Sequence, residues 1–156
     1  MINIRAAGLD DCDDLLNWRN DESTRMVSFD QHEISGKEHR VWFERAIRDP
    51  KIRIFIGVDE NGIKLGMVRF NVVGKGISEI SINIAPEERG KGLGKLILQQ
   101  ACERYSAEND GLKMIAKVKI SNPASLKVFK SAGFILEPQD KVDPGSDMAV
   151  LIRVNK

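Results

Sequence analysis

Three glycines at alternate positions, in Arg89-Gly90-Lys91-Gly92-Leu93-Gly94, stand between an alternating run, 77–85, and an apolar-periodic run that reaches about Glu108. Glycine weakens a helix by about 1 kcal/mol per residue, so three at a helix start answer another demand on the backbone. Strand, glycine-rich loop and helix in succession turn the N–H groups and partial positive charge of a helix N-terminus toward a phosphate or pyrophosphate. Spacing decides between anion binders. A P-loop ends in Gly-Lys-Ser/Thr, but here Lys95 is followed by Leu96, so the magnesium-binding hydroxyl is missing. A dinucleotide loop reads G-x-G-x-x-G, and Gly90-Lys91-Gly92-Leu93-Gly94 is one residue too short.

The flanking sequence supplies the rest of an α/β domain. Residues 2–7 alternate as a first strand, and Asp10 or Asp11 can cap a helix through Leu15, Leu16 and Trp18 to about Asn20. The stretch 20–34 is polar and irregular. Ser35-Gly36-Lys37-Glu38 matches a capping box, with Val41, Trp42, Ala46 and Ile47 at helical spacing before Asp49-Pro50. A meander follows: strands 51–59, 63–73 and 77–85, turned at Asn61-Gly62 and Gly74-Lys75-Gly76. The helix after the glycines shows Leu93, Leu96, Ile97, Ala101 and Tyr105 on one side, and Asn109-Asp110-Gly111 breaks it. A strand at 113–120, a short helix opened by Asn122-Pro123 and ended by Gly133, and two last strands around the polar loop 137–147 complete the chain. A meander before strand-helix-strand units predicts a mixed sheet of about seven strands with helices on both faces, in one domain spanning 1–156.

Composition narrows the function classes. With 24 basic and 23 acidic residues the net charge is +1, which gives no global footprint for nucleic acid. No apolar run approaches the length of a membrane span, and the N-terminus lacks a secretion signal, so a cytoplasmic location is the default expectation. Cys12 and Cys102 lie far apart in no metal-like spacing, and His32 and His39 are too few for a usual zinc site, so no metal is expected.

The hexapeptide 89–94 resembles the R-x-x-G-x-G signature of the GNAT superfamily of acetyl-CoA-dependent N-acetyltransferases. ISINIAPEERGKGLGKLIL resembles that family's fourth strand, loop and third helix, and KISNPASLKVFKSAGF (119–134) its fifth strand, next helix and sixth strand. The resemblance implies the GNAT fold and acetyl-CoA as co-substrate. The backbone N–H groups of Gly90, Lys91, Gly92, Leu93, Gly94 and Lys95 would cradle the pyrophosphate, with Arg89 beside them. Ile82, Asn83 and Ile84 would lend backbone groups to the pantetheine arm and the oxyanion, a bulge in their strand splaying it from the next. Asn122 and Ser125 match positions that contact the CoA arm in relatives, though either could simply cap a helix.

Acetyl transfer to an amine needs a neutral nitrogen and therefore a base. The resemblance places Glu79 there; a solvent-facing strand glutamate is the plain alternative. Many relatives carry a tyrosine that protonates the leaving thiolate where this chain has Phe129, beside the cofactor, so the general acid is unassigned.

The acceptor is read from residues 16–43. Trp18, Arg19, Asn20, Arg25, His39, Trp42 and Phe43 resemble the branch that acetylates nucleotide-linked amino sugars, the pseudaminic-acid-pathway enzymes acting on a UDP-linked 4-amino sugar. Arginines suit a diphosphate, and aromatic rings a sugar face or uracil. Core packing is the other reading for both tryptophans. A protein amino terminus or lysine as acceptor, as in ribosomal-protein acetyltransferases, and a non-catalytic acyl-CoA-binding module are the alternatives.

Overall fold

Alternating β-branched and aromatic residues build the strands, and capped apolar stripes build the helices that cover them. A computed structural model describes residues 1–109, 112–138 and 145–154. In chain order the elements are β1 (Asn3–Ala6), α1 (Cys12–Asn20), α2 (Glu22–Met26), α3 (Gly36–Ala46), β2 (Ile52–Val58), β3 (Lys64–Gly74), β4 (Ile77–Ile84), α4 (Leu93–Glu108), β5 (Lys113–Val118), α5 (Pro123–Ser131), β6 (Ile135–Leu136) and β7 (Ala149–Val154). The strands form one seven-stranded sheet in the order β1-β2-β3-β4-β5-β7-β6, antiparallel throughout except for the parallel β4–β5 pair. This is the mixed α/β sheet that the sequence predicts.

Each face of the sheet has its own core. Phe55, Val68, Phe70, Ile80, Met114 and Leu151 meet Ile97, Leu98, Ala101, Cys102 and Tyr105 of α4 and Phe129 of α5. On the other face Ile54 and Ile56 pack against Cys12, Leu15 and Trp18 of α1 and Phe43 and Ala46 of α3. Tyr105 stacks on Phe70 with centroids 4.0 Å apart and shares a buried 2.8 Å hydrogen bond with Ser78. Leu96 is 47% exposed, so Leu98 and Cys102 complete the buried stripe of α4 in its place.

α1 is locked down by charge. Asp11, 1% exposed, accepts two 2.8 Å hydrogen bonds from Arg5 and an ion pair from Lys64 at 2.9 Å, so β1, α1 and β3 are tied at one point. Its carboxylate also accepts from the Gly8 N–H rather than capping α1. Burial opposes the charge, but these bonds win and hold the carboxyl far below the usual range.

The stretch 20–34 departs from expectation. It contains α2, five residues whose N-cap is the Asp21 carboxylate, which accepts from Thr24 N–H at 3.2 Å. Glu-Ser-Thr-Arg-Met has no apolar period, so nothing but the cap announces it. Ser35 caps α3 through Glu38 N–H at 3.2 Å, the forward half of the predicted box. Asp110, Gly111 and most of the loop 137–147 lie outside the described residues.

Candidate active site

The donor side is built from backbone. β4 pairs with β3 along its length but with β5 only at Ile77–Lys113, Ser78–Met114 and Glu79–Ile115. Beyond Glu79 the two strands part, and a V opens at the centre of the sheet. Ala85 N–H bonds to Leu65 O at 2.8 Å, and ladder alternation therefore turns the main-chain groups of Ile80, Ile82 and Ile84 away from β3, toward the V. The parting is as the resemblance implies, but not through a bulge there. The β3–β4 register runs unbroken from Ile84 to Ser78 and shifts only between Val72 and Gly74, at the far end.

The glycine loop follows from β4 through a 3-10 turn at Pro86–Glu88. Gly90 and Gly92 have φ of 78° and 75°, and a Cβ at either would meet no atom within 4 Å, so conformation and not crowding requires them. Gly94 serves differently: a Cβ there would lie 3.2 Å from Val128, so its absence lets α4 approach α5. Gly92 is the N-cap of α4 and offers no side-chain cap, and no acid lies in the first turn. The first N–H groups of a sixteen-residue helix thus face outward with its dipole behind them. Lys91 pairs with Glu88 at 2.9 Å, and Lys95 is exposed.

Arg89 does not flank the cradle with its side chain. Its guanidinium donates to Asp21 Oδ2 at 3.0 Å, Ser23 Oγ at 2.7 Å, Ile84 O at 3.2 Å, Asn83 Oδ1 at 3.5 Å and to Thr24 Oγ1. The strong local acceptors of α2 take it, so its side chain fastens the loop to α2.

The other face of the V is built from side chains. Glu79 lies on the α1/α3 face of β4, at the last pair before the strands part. Lys117, two residues beyond its β5 partner, reaches back to Glu79 Oε2 at 3.7 Å. On the β3 side Arg69, paired with Ser81, lies half-buried with its guanidinium 5.3 Å from the centre of the Trp42 ring. Burial pulls Arg69 below the ordinary arginine range; the charge of Glu79 opposes this and that of Arg19 adds to it, so both lie close by. The Arg69 guanidinium makes no hydrogen bond or ion pair among the described residues. Arg19 donates to Asp30 O at 2.7 Å through one nitrogen, while its Nη1 is buried without a partner among the described residues.

Several expected acceptor residues do other work. Trp18 is 6% and Phe43 0% exposed, both in the α1/α3 core. His39, 5% exposed, stacks on Phe43 and meets Cys12 O at 3.0 Å through Nε2; burial pulls its pKa down. Asn20 bonds both main-chain groups of Ile34, at 2.7 and 2.8 Å, holding the loop after α2. Arg25 donates to Asn20 O at 3.1 Å. Of the seven, only Arg19 and Trp42 join the cluster around Glu79. Asn122 caps α5 by accepting from Ser125 N–H at 3.3 Å. Phe129 is corrected as a cofactor contact: at 2% exposure it packs edge-on to Phe134 in the core. Arg69 and Lys117 are the residues the sequence reading passed over. A charged residue at an inward position of the central strand KLGMVRFNVVG was the signal for Arg69.

No cysteine can act as a nucleophile here. Cys102 is fully buried with its thiol pushed up to about 11, and Cys12 is buried and raised in the same sense.

An open strand edge that leads into a glycine-shaped helix N-terminus, with a carboxylate at the mouth, is the arrangement that the family resemblance implies for an acyl-thioester donor and an amine acceptor. The Acetyltransferase (GNAT) domain family matches residues 2–135, and the chain belongs to that family. It is an acetyl-CoA-dependent N-acetyltransferase, and acetyl-CoA is its co-substrate. A Bacillus subtilis protein bearing a phosphinothricin acetyltransferase name is 29% identical over 118 residues, covering 72% of this chain and 70% of its own. An L-methionine sulfoximine/L-methionine sulfone acetyltransferase of Pseudomonas paraeruginosa is 28% identical over 144 residues, covering 88% and 82%. The fold is shared with the spermidine N-acetyltransferase of Vibrio cholerae solved with CoA and spermine, at TM-score 0.82, 22% identity and coverage of 98% and 95%.

Proposed function

We propose that the acceptor is a small amine that also carries an anionic group, of the α-amino-acid type for which the phosphinothricin and methionine sulfoximine relatives are named. The observation that carries this reading is the pair of cations beside Glu79: Arg69 without a hydrogen-bonding partner among the described residues, and Arg19 with Nη1 buried and unpaired. A buried guanidinium is costly unless an anion meets it, and a carboxylate meets it in bidentate fashion. Lys117 and Arg69 flank the Glu79 carboxylate, and Arg19 lies near Arg69. A polyamine would be repelled, although the Vibrio cholerae relative is named for one. The same surroundings disfavour an ammonium and so favour the neutral amine that must attack.

A nucleotide-linked amino sugar satisfies the charge argument through its diphosphate. The aromatic surface invoked for it is reduced to Trp42, since Trp18 and Phe43 are core. The amino-acid reading therefore stands first.

In this reading the donor lies in the V with its pyrophosphate on residues 90–95. The amine nitrogen attacks the carbonyl carbon; the new N–C bond forms as the C–S bond breaks and the thiolate leaves with the electron pair. Glu79 accepts the amine proton directly or through water, and the main-chain N–H of Ile82 or Ile84 stabilises the oxyanion. The test is CoA release from acetyl-CoA with L-methionine sulfoximine, L-phosphinothricin, a UDP-linked 4-amino sugar, spermidine and an amino-terminal peptide. Turnover with the amino acids and none with spermidine is expected. Turnover with spermidine alone overturns the reading.

A further inference from the structure

The cradle for the pyrophosphate contains two glycines in the left-handed region and no side chain that pins them: Lys91 is an exposed residue paired only with Glu88. Glycine backbone is the most expensive to order, so N–H groups presented by such a loop bind well only if something fixes its entrance. The last side chain before the glycines is Arg89, and it is fixed thoroughly. It ties Ile84 O at the end of β4 to Asp21, Ser23 and Thr24 at the start of α2. Asp21 is the only acid in that set. Its Oδ2 accepts from Arg89 at 3.0 Å, Ser23 Oγ at 2.6 Å and Thr24 N–H at 3.2 Å, so it is held in place from its own segment before it holds Arg89.

We propose that Asp21 is a positioning residue for acetyl-CoA, acting through Arg89 to hold the entrance of the glycine cradle. The inference rests on the family's cofactor site and not on the acceptor. It makes a prediction opposite in sign to that of charge alone. A carboxylate one residue's reach from a phosphate site repels the cofactor, and removing it should tighten binding. If Asp21 instead orders the loop, removing it loosens binding.

Asparagine is a good N-cap and keeps the Thr24 bond, while losing the ion pair with Arg89. Isothermal titration of CoA against Asp21→Asn, Asp21→Ala and Glu22→Gln, the last removing an adjacent exposed acid outside the Arg89 bonds, separates the two accounts. Both Asp21 variants should weaken CoA by roughly five- to tenfold, the scale of a charge-assisted hydrogen-bonded pair, and Glu22→Gln should leave it unchanged or slightly tighter. In a double-mutant cycle Arg89→Lys should cost less on top of Asp21→Asn than it does alone, because the ion pair is lost in both. Unchanged or tighter CoA binding by Asp21→Asn overturns the proposal. So does weakening by Asp21→Ala alone, which would assign Asp21 to the helix cap, or full additivity in the cycle.

Discussion

The two sides of the V are made of different material. The side proposed for the donor is main chain: the open edge at Ile80–Ile84, two glycines with φ near 75° and the bare N-terminus of α4. The side proposed for the acceptor is side chain: Glu79, Lys117, Arg69, Arg19 and Trp42, brought from three strands and two helices. Main-chain groups are the same in every protein, so a site built from them can serve one cofactor across a whole family. Side chains vary freely around a fixed opening, so the acceptor can change while the donor does not.

The comparison can be broken at its largest point by Gly92→Trp. A φ of 75° strains any side chain, and the indole would occupy the cradle, so CoA affinity should fall by more than about a hundredfold while the acceptor face is untouched. CoA titration checks it. On the other side, Glu79→Gln should lower kcat by about a hundredfold or more with CoA affinity unchanged, and should alter the pH–rate profile. A wild-type profile would remove Glu79 as base. Arg69→Met should raise KM for an anionic amine by roughly ten- to a hundredfold and leave KM for acetyl-CoA alone, which steady-state kinetics with each substrate varied would show.

A test of another kind, read in stability, concerns what holds the acceptor side in place. The carboxyl of Asp11 titrates below its unfolded value of 3.8, so its contribution is present above that pH and is withdrawn as pH falls through it toward the folded value. Asp11→Asn should cost roughly 2–4 kcal/mol near neutrality, as expected when one partner of a largely buried ion pair is removed. The gap from wild type should narrow below about pH 4, as denaturant melts at stepped pH would show. Because Asp11 fastens α1, which carries Arg19, acceptor KM should respond more than CoA affinity.

The same contrast explains what was legible in the chain. Glycine at 90 and 92 announces its conformation by its identity, and alternation announces β2, β3 and β4, so the fold and the turn of the glycine loop could be read in advance. Trp18, His39 and Phe43 could not be sorted from Trp42 by residue type. A part-turn of rotation about α1 or α3 decides whether an aromatic meets Ile54 or Arg69, and only packing fixes that rotation. Arg89 illustrates the same limit: its motif was read, but its side chain went to α2, a five-residue helix with no apolar period to reveal it.

The seam of the sheet has a mechanical meaning. Only three residue pairs join β4 to β5, and within the sheet they alone link strands β1–β4 to the remaining three. A donor arm laid along Ile80–Ile84 would supply the hydrogen bonds missing from that joint, so the reagent consumed in each cycle would also brace the structure that consumes it. Between turnovers the enzyme would be held across that joint mainly by the core under α4 and α5. Its rigidity would rise and fall with the supply of acetyl-CoA, and the empty protein would be the form most open to proteases.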